Sequence, residues 1–121
     1  MIEINIGQLL YSLQNQYKDN QDINFFGHCI TNFSKTYSQN FQDVWVIYEN
    51  KFKKNGFFVE FGAADGVAGS NTLLLEKKYG WAGILAEPNR YMIPKIAANR
   101  TCVIDNRCVY INTGEFVDFN I

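Results

Sequence analysis

Three features of the sequence predict an α/β fold built on a parallel sheet. Two short apolar segments, Phe57–Phe61 and Trp81–Ala86, have the length and composition of buried strands. A glycine-rich turn and a segment of helical length separate them, and a further helix and a third strand follow. This alternation is typical of one half of a doubly wound, Rossmann-like sheet, whose right-handed crossovers make successive strands parallel. We therefore predict the strand order 3-2-1, with Phe57–Phe61 at one edge.

The N-terminal segment differs in composition from the rest of the chain, and we predict that residues 1–36 form a helical extension of the α/β domain at 37–121. It is rich in Asn and Gln. Its apolar side chains recur at the spacing of a short amphipathic helix. They are Ile6, Leu9, Leu10, Leu13 and Tyr17. The polar run Asn15–Asn24 predicts a loop after this helix.

A second helix is predicted to begin after Ser38, which is a favourable N-cap residue. The apolar residues that follow lie on one helical face. They are Phe41, Val44, Trp45, Tyr48 and Phe52. The Asn55-Gly56 pair is expected to end this helix.

The elements after the first predicted strand follow from local signals. A helix is predicted from about Ser70 to Tyr79, where Gly80 is placed to end it. Pro94 suits the first turn of another short helix. Cys102–Ile104 has the apolar character of a third strand.

A β-hairpin is predicted after the third strand. Val109–Ile111 and Glu115–Phe119 are short segments of strand-forming residues. They flank Asn112-Thr113-Gly114, which has the composition of a tight turn.

The composition excludes several classes of protein. The chain has 121 residues, 47% of them hydrophobic, and a net charge of −1, so charge-driven binding to nucleic acid is disfavoured. No apolar run approaches the ~20 residues that span a bilayer, and the N-terminus lacks the pattern of a signal peptide. We expect a cytoplasmic location and no membrane span. Three cysteines without a CxxC pair argue against a disulfide framework or a metal site.

The segment from Glu60 to Gly66 is the strongest candidate for ligand binding. Its small residues allow a ligand to approach the backbone closely. Glycines at 62, 66 and 69 lack the GxGxxG spacing that a dinucleotide pyrophosphate requires. The nearby carboxylates would repel a pyrophosphate but suit a ligand with cationic groups, such as S-adenosylmethionine. The candidate residues here are Glu60, Gly62, Ala63, Ala64, Asp65 and Gly66. The alternative is a strand-to-helix turn that binds nothing.

Glu87 ends the second predicted strand, about 20 residues after the glycine turn. An acidic residue at this place accepts ribose hydroxyls in nucleotide-binding folds. Pro88 directs the chain away from the strand, and we include it in the candidate site. The alternative for Glu87 is a solvated loop carboxylate.

Two further polar groups have open interpretations. Ser70 and Asn71 are suited to cap the following helix, and they could also bind the carboxylate of the cofactor. Asp105 and Asn106 follow the third strand, where they either contact an adenine or form a plain turn. No Ser-His-Asp or Cys-His arrangement is visible, so no catalytic residue is predicted.

Four motifs in order resemble the FkbM-type methyltransferases. They are SQNFQD at 38–43, GFFVEFGAADG at 56–66, SNTLLLE at 70–76 and GWAGILAEP at 80–88. Ala64 stands where that family more often has Asn. The resemblance implies a class I methyltransferase fold that transfers a methyl group from S-adenosylmethionine, often to a hydroxyl of a sugar or natural product.

The family's fold has a seven-stranded sheet, whereas the strands predicted here stop at the third and a hairpin. The resemblance therefore implies a truncated domain, with a small-molecule or glycan acceptor. Because an uncovered edge strand promotes association, we expect self-association or a complementing C-terminal half. One alternative is a non-catalytic remnant or interaction module that retains the half-fold. Another is a nicotinamide- or nucleotide-binding protein, which Glu60 and the missing GxGxxG disfavour.

Overall fold

The structure is a computed structural model that describes residues 5–116 and 118. Its elements alternate between helix and strand after an N-terminal helical segment, as the sequence predicts. In chain order they are α1 (Ile6–Gln16), α2 (Gln21–Asn32), a 3-10 turn (Phe33–Lys35), α3 (Gln42–Glu49), β1 (Phe57–Phe61), α4 (Leu73–Tyr79), β2 (Ala82–Ala86), α5 (Ile93–Asn99) and β3 (Val103–Asp105). None of the helices in this part of the chain is long and apolar enough to cross a membrane.

The three described strands form a parallel sheet in the order β1-β2-β3. Val59 of β1 pairs with Ile84 of β2, which pairs with Val103 of β3. The predicted parallel order and the edge position of Phe57–Phe61 are confirmed. Gly80 ends α4 in a left-handed conformation, and Pro94 lies in the first turn of α5, as predicted.

The core lies on one face of this sheet. Phe58 of β1 and Leu85 of β2 pack in one cluster with Ile47, Leu75 and Ile96 from α3, α4 and α5. Gly83 is required here, because a Cβ at this position would lie 2.3 Å from the Phe58 ring and 2.5 Å from its carbonyl oxygen.

The opposite face of the sheet is open to solvent. Phe57, Val59 and Phe61 are 62%, 52% and 63% exposed, and Val103 is 63% exposed. Parallel sheets are usually covered on both faces. This uncovered apolar face is therefore an unusual feature of the described part of the chain.

The prediction of a loop over Asn15–Asn24 is wrong at both ends, because α1 extends to Gln16 and α2 begins at Gln21. The Asn20 side chain accepts a hydrogen bond from the Ile23 N–H at 3.1 Å and so caps the helix. Asp22 in the first turn adds a favourable interaction with the helix dipole. Polar residues that suggested a loop thus form the start of a helix.

The predicted limits of the helix after Ser38 are also wrong. The helix α3 begins at Gln42 and ends at Glu49, and Phe41 before it has a left-handed backbone with φ 59°. The hydroxyl of Ser38 instead donates to the buried Asp43 carboxylate at 2.7 Å. Asp43 also accepts hydrogen bonds from Thr36 and the Tyr37 N–H, which fixes the chain ahead of the helix.

The predicted hairpin is not formed in the described residues. Val109–Ile111 is not a strand, although Gly114 lies in a turn with φ 88°. Residues 117 and 119 of the second predicted strand lie outside the described part of the chain. Ile111 is 85% exposed and Phe116 is fully exposed, so this segment lacks the packing that a two-stranded hairpin needs for stability.

His28 of α2 packs against aromatic side chains in and after α3, and its partial burial predicts a pH-dependent stability. The His28 ring is 5.3 Å from the Tyr48 ring and 5.2 Å from the Phe52 ring, centroid to centroid. Burial lowers the pKa of His28 below 6.5. The folded chain then binds fewer protons here than the unfolded chain, so the stability is complete above pH 6.5 and decreases as the pH falls below it.

We expect urea titrations to give a lower free energy of unfolding at pH 5.5 than at pH 7.5. His28→Phe keeps an aromatic ring that cannot be protonated. The decrease in its free energy of unfolding between pH 7.5 and pH 5.5 should therefore be smaller. An equal pH dependence in the two proteins would contradict a role for His28.

Candidate functional site

The hydrogen bonds between β1 and β2 continue into the turn that follows β1. The Gly62 N–H donates to the Ala86 carbonyl at 2.8 Å. Gly62 has φ 67°, a left-handed conformation, and a Cβ built on it would meet no atom within 4 Å. The backbone at Gly62 is therefore accessible to a ligand at the carboxyl end of β1.

Ala64 has an unfavourable backbone conformation in the same turn. Its φ is 48°, in the left-handed region that costs most L-residues about 1–2 kcal/mol. Asn tolerates this region better than Ala. The backbone at position 64 therefore favours Asn over the Ala that is present.

Asp65 stabilises the end of the turn. Its Oδ1 accepts hydrogen bonds from the Val67 and Ala68 N–H groups, both at 2.9 Å. These bonds lower the pKa of Asp65, so the carboxylate is ionised at neutral pH. Ala63 beside it is buried in the core cluster.

Glu87 connects the glycine turn to the end of β2. Its Oε2 accepts a hydrogen bond from the Ala64 N–H at 2.7 Å, and its Oε1 accepts one from the Asn89 N–H at 2.9 Å. The residue is 6% exposed. Because a carboxylate has about four acceptor positions, Glu87 retains capacity for two further hydrogen bonds.

A cavity of about 220 Å³ lies against this connection. Gly62, Glu87 and Pro88 line it together with Arg107. Ligands of open α/β sheets bind at the carboxyl ends of the strands. This cavity is in that position.

A larger cavity of about 680 Å³ adjoins the first, and both are lined by Ala86 and by residues 107–109. Asp105 and Asn106 line the larger cavity. A side-chain hydrogen bond from Arg107, with Nη2 at 2.6 Å from Oδ2, lowers the pKa of Asp105 to about 2. Five predicted site residues thus line two adjoining cavities: Gly62, Glu87, Pro88, Asp105 and Asn106.

The other seven predicted site residues line neither cavity: Glu60, Ala63, Ala64, Asp65, Gly66, Ser70 and Asn71. The Glu60 carboxylate is buried, where it accepts hydrogen bonds from the Asn71 N–H at 2.9 Å and the Ser70 hydroxyl at 3.1 Å. It also accepts one from the Thr72 hydroxyl. In this arrangement Glu60 holds the segment before α4, and its binding to a cofactor stays a prediction.

Sequence reasoning did not identify Arg100, which the structure places beside the turn. Its guanidinium lies 2.7 Å from Glu76 and donates to the Gly66 carbonyl at 2.9 Å. No local signal distinguishes it from a solvated arginine at the end of a helix, because its partners lie 24 to 34 residues earlier in the chain.

The SQNFQD motif also lies next to the glycine turn. Ser38 forms an isolated parallel bridge with Gly69. A Cβ on Gly69 would lie 3.4 Å from the Gln39 side chain. The segment before α3 thus supports the far end of the turn, whereas the sequence alone suggested only a helix start.

The chain matches no protein-family model, and searches of curated proteins and of solved structures return no significant match.

Proposed function

We propose that this chain binds S-adenosylmethionine at the carboxyl ends of β1 and β2 and serves in methyl transfer. The observation that carries the proposal is the shared cavity of Gly62 and Glu87. Gly62 leaves its backbone open, and Glu87 is held at the cavity by its hydrogen bond to the Ala64 N–H. In this proposal the cofactor approaches the open backbone of Gly62 closely, and the Glu87 carboxylate accepts hydrogen bonds from its two ribose hydroxyls.

The charges around the site support this cofactor over a dinucleotide. Asp65 has a lowered pKa and is ionised at neutral pH. Asp105 is ionised as well, but Arg107 at 2.6 Å offsets its charge. Carboxylates near the turn repel a pyrophosphate and attract the ammonium and sulfonium groups of S-adenosylmethionine. Asp105 and Asn106 line the adjoining cavity, and in this proposal they contact the adenine.

When bound, S-adenosylmethionine supplies an activated methyl group. The residues of this chain would orient it, with Glu87 at the ribose and the Gly62 backbone beside it. The acceptor, a hydroxyl of a sugar or natural product, rests on the resemblance to FkbM-type methyltransferases alone.

Removal of the Glu87 carboxylate tests the proposal. Glu87→Ala deletes one or two charge-assisted hydrogen bonds to the ribose, so we expect the Kd for S-adenosylmethionine to rise at least about tenfold in calorimetry. Glu49→Ala removes an exposed carboxylate of α3 and is the matched control, expected to leave the Kd unchanged. An unchanged Kd for Glu87→Ala in a folded protein would contradict the assignment.

A second function, an interaction module without catalysis, is favoured by one observation. The uncovered sheet face exposes Phe57, Val59 and Phe61 along β1, which is also an unpaired edge strand in the described sheet. Such a face and edge promote association. Sedimentation velocity at micromolar concentration distinguishes the two functions. A chain that binds S-adenosylmethionine and stays monomeric supports the cofactor site and not the interaction module.

A further inference from the structure

Arg100 is the most connected side chain beside the candidate site. It follows α5 and is 4% exposed, with its guanidinium 5.6 Å from the Phe58 ring centroid. Its Nε donates to Glu76 at 2.7 Å. Its two terminal nitrogens are directed to the segment between Gly66 and Thr72.

The bonds to that segment are made by both terminal nitrogens. Nη1 donates to the Gly66 carbonyl at 2.9 Å and to the Ser70 hydroxyl at 3.1 Å. Nη2 donates to the Thr72 hydroxyl at 2.9 Å. Only the planar fork of an arginine reaches such a set of acceptors while it also pairs with a carboxylate.

The segment from 66 to 72 depends on such side-chain bonds because it contains no helix or strand of its own. Ser70 and Thr72 each bond to Arg100 on one side and to Glu60 on the other. Ser70 Oγ in turn accepts from the Thr72 and Leu73 N–H groups. The backbone of the segment is thus fixed between a buried cation and a buried carboxylate.

Gly66 joins this network to the glycine turn. Its φ is 78°, and a Cβ at this position would lie 3.1 Å from Arg100 Cγ. The Arg100 side chain therefore packs directly against the turn as well as binding its carbonyl. Replacement of the guanidinium would therefore alter the backbone of the turn that also contains Gly62.

We propose that Arg100 is a positioning residue that sets the backbone shape of the turn and thereby the affinity for S-adenosylmethionine, which rests on the cofactor site proposed above. Its contacts with the turn, rather than its ion pair with Glu76, produce this effect. Arg100 itself lines neither cavity and makes no contact with the cofactor in this proposal.

The test compares Arg100→Lys with Thr101→Val in the full chain. Arg100→Lys keeps a cation near Glu76 but loses the fork toward the turn. Thr101→Val removes a hydroxyl that donates to Glu76 at 2.8 Å, on the side of the network away from the turn. Each protein is measured for unfolding in urea, for amide hydrogen exchange and for the Kd of S-adenosylmethionine.

We expect Arg100→Lys to speed exchange at the Asn71, Thr72 and Leu73 amides and to raise the Kd, each at least about tenfold. Thr101→Val should leave both quantities within about twofold of the original chain. If both variants change exchange and Kd only in proportion to their loss of stability, Arg100 is merely structural and the proposal is overturned.

Two further results keep the test decisive. If Arg100→Lys does not fold, Thr72→Val removes the acceptor of Nη2 together with the hydroxyl's bond to Glu60, and the same exchange and Kd changes are expected from it. If the original chain binds no S-adenosylmethionine, the proposed function fails. The rates of amide hydrogen exchange then still decide whether Arg100 holds the backbone of the turn. Equal rates in all variants would overturn that role of Arg100.

Discussion

Arg100→Met is expected to lower the free energy of unfolding by about 3–5 kcal/mol, because it leaves a buried carboxylate without its cation. The side chains of Arg100 and Glu76 are 0% and 6% exposed, and their charged atoms are 2.7 Å apart. Methionine fills similar space but donates no hydrogen bond, so the Gly66 carbonyl also loses a partner. Urea denaturation followed by circular dichroism measures the loss.

Arg107→Met is the control for this prediction. Arg107 also pairs with a carboxylate, that of Asp105 at 2.6 Å, but its side chain is 82% exposed. Water solvates the Asp105 carboxylate once its partner is removed, so we expect the unfolding midpoint to stay unchanged within error. Equal losses for the two arginines would contradict the role of burial.

Leu85→Ala should destabilise the fold by about 2–5 kcal/mol, the range for truncating a fully buried leucine. Leu85 is 0% exposed in the central strand β2 and belongs to the cluster with Phe58, Ile47 and Ile96. This loss of stability has two parts: the transfer free energy of the apolar atoms that are removed and the cost of the cavity that remains. Thermal and urea unfolding both report it.

Val59→Ala tests the uncovered face of the same sheet. Val59 is in the strand next to Leu85 but is 52% exposed. We expect a loss well below that of Leu85→Ala, since the truncated atoms were already in contact with water. A loss as large as that of Leu85→Ala would show that something covers this face in solution.

The sequence determined the parts of the fold whose signals are local. An apolar strand, a glycine turn and a helix recur in order, and this pattern alone predicts the parallel sheet with β1 at its edge. It also brought Glu87 and Gly62 together, because parallel strands end at the same edge of a sheet. A helix stop such as Gly80 is equally local, since the left-handed conformation suits glycine.

The tertiary structure decided what depends on distant partners. The sequence predicts Ser38 as a helix cap, but its hydroxyl donates to the buried Asp43 carboxylate. The sequence predicts Glu60 as a cofactor ligand, and only the fold shows that its carboxylate also holds the segment before α4. Arg100 gave no signal because each of its partners lies at least 24 residues away. Polar side chains can satisfy their hydrogen bonds in many ways, and only the packed chain shows which partner is within reach.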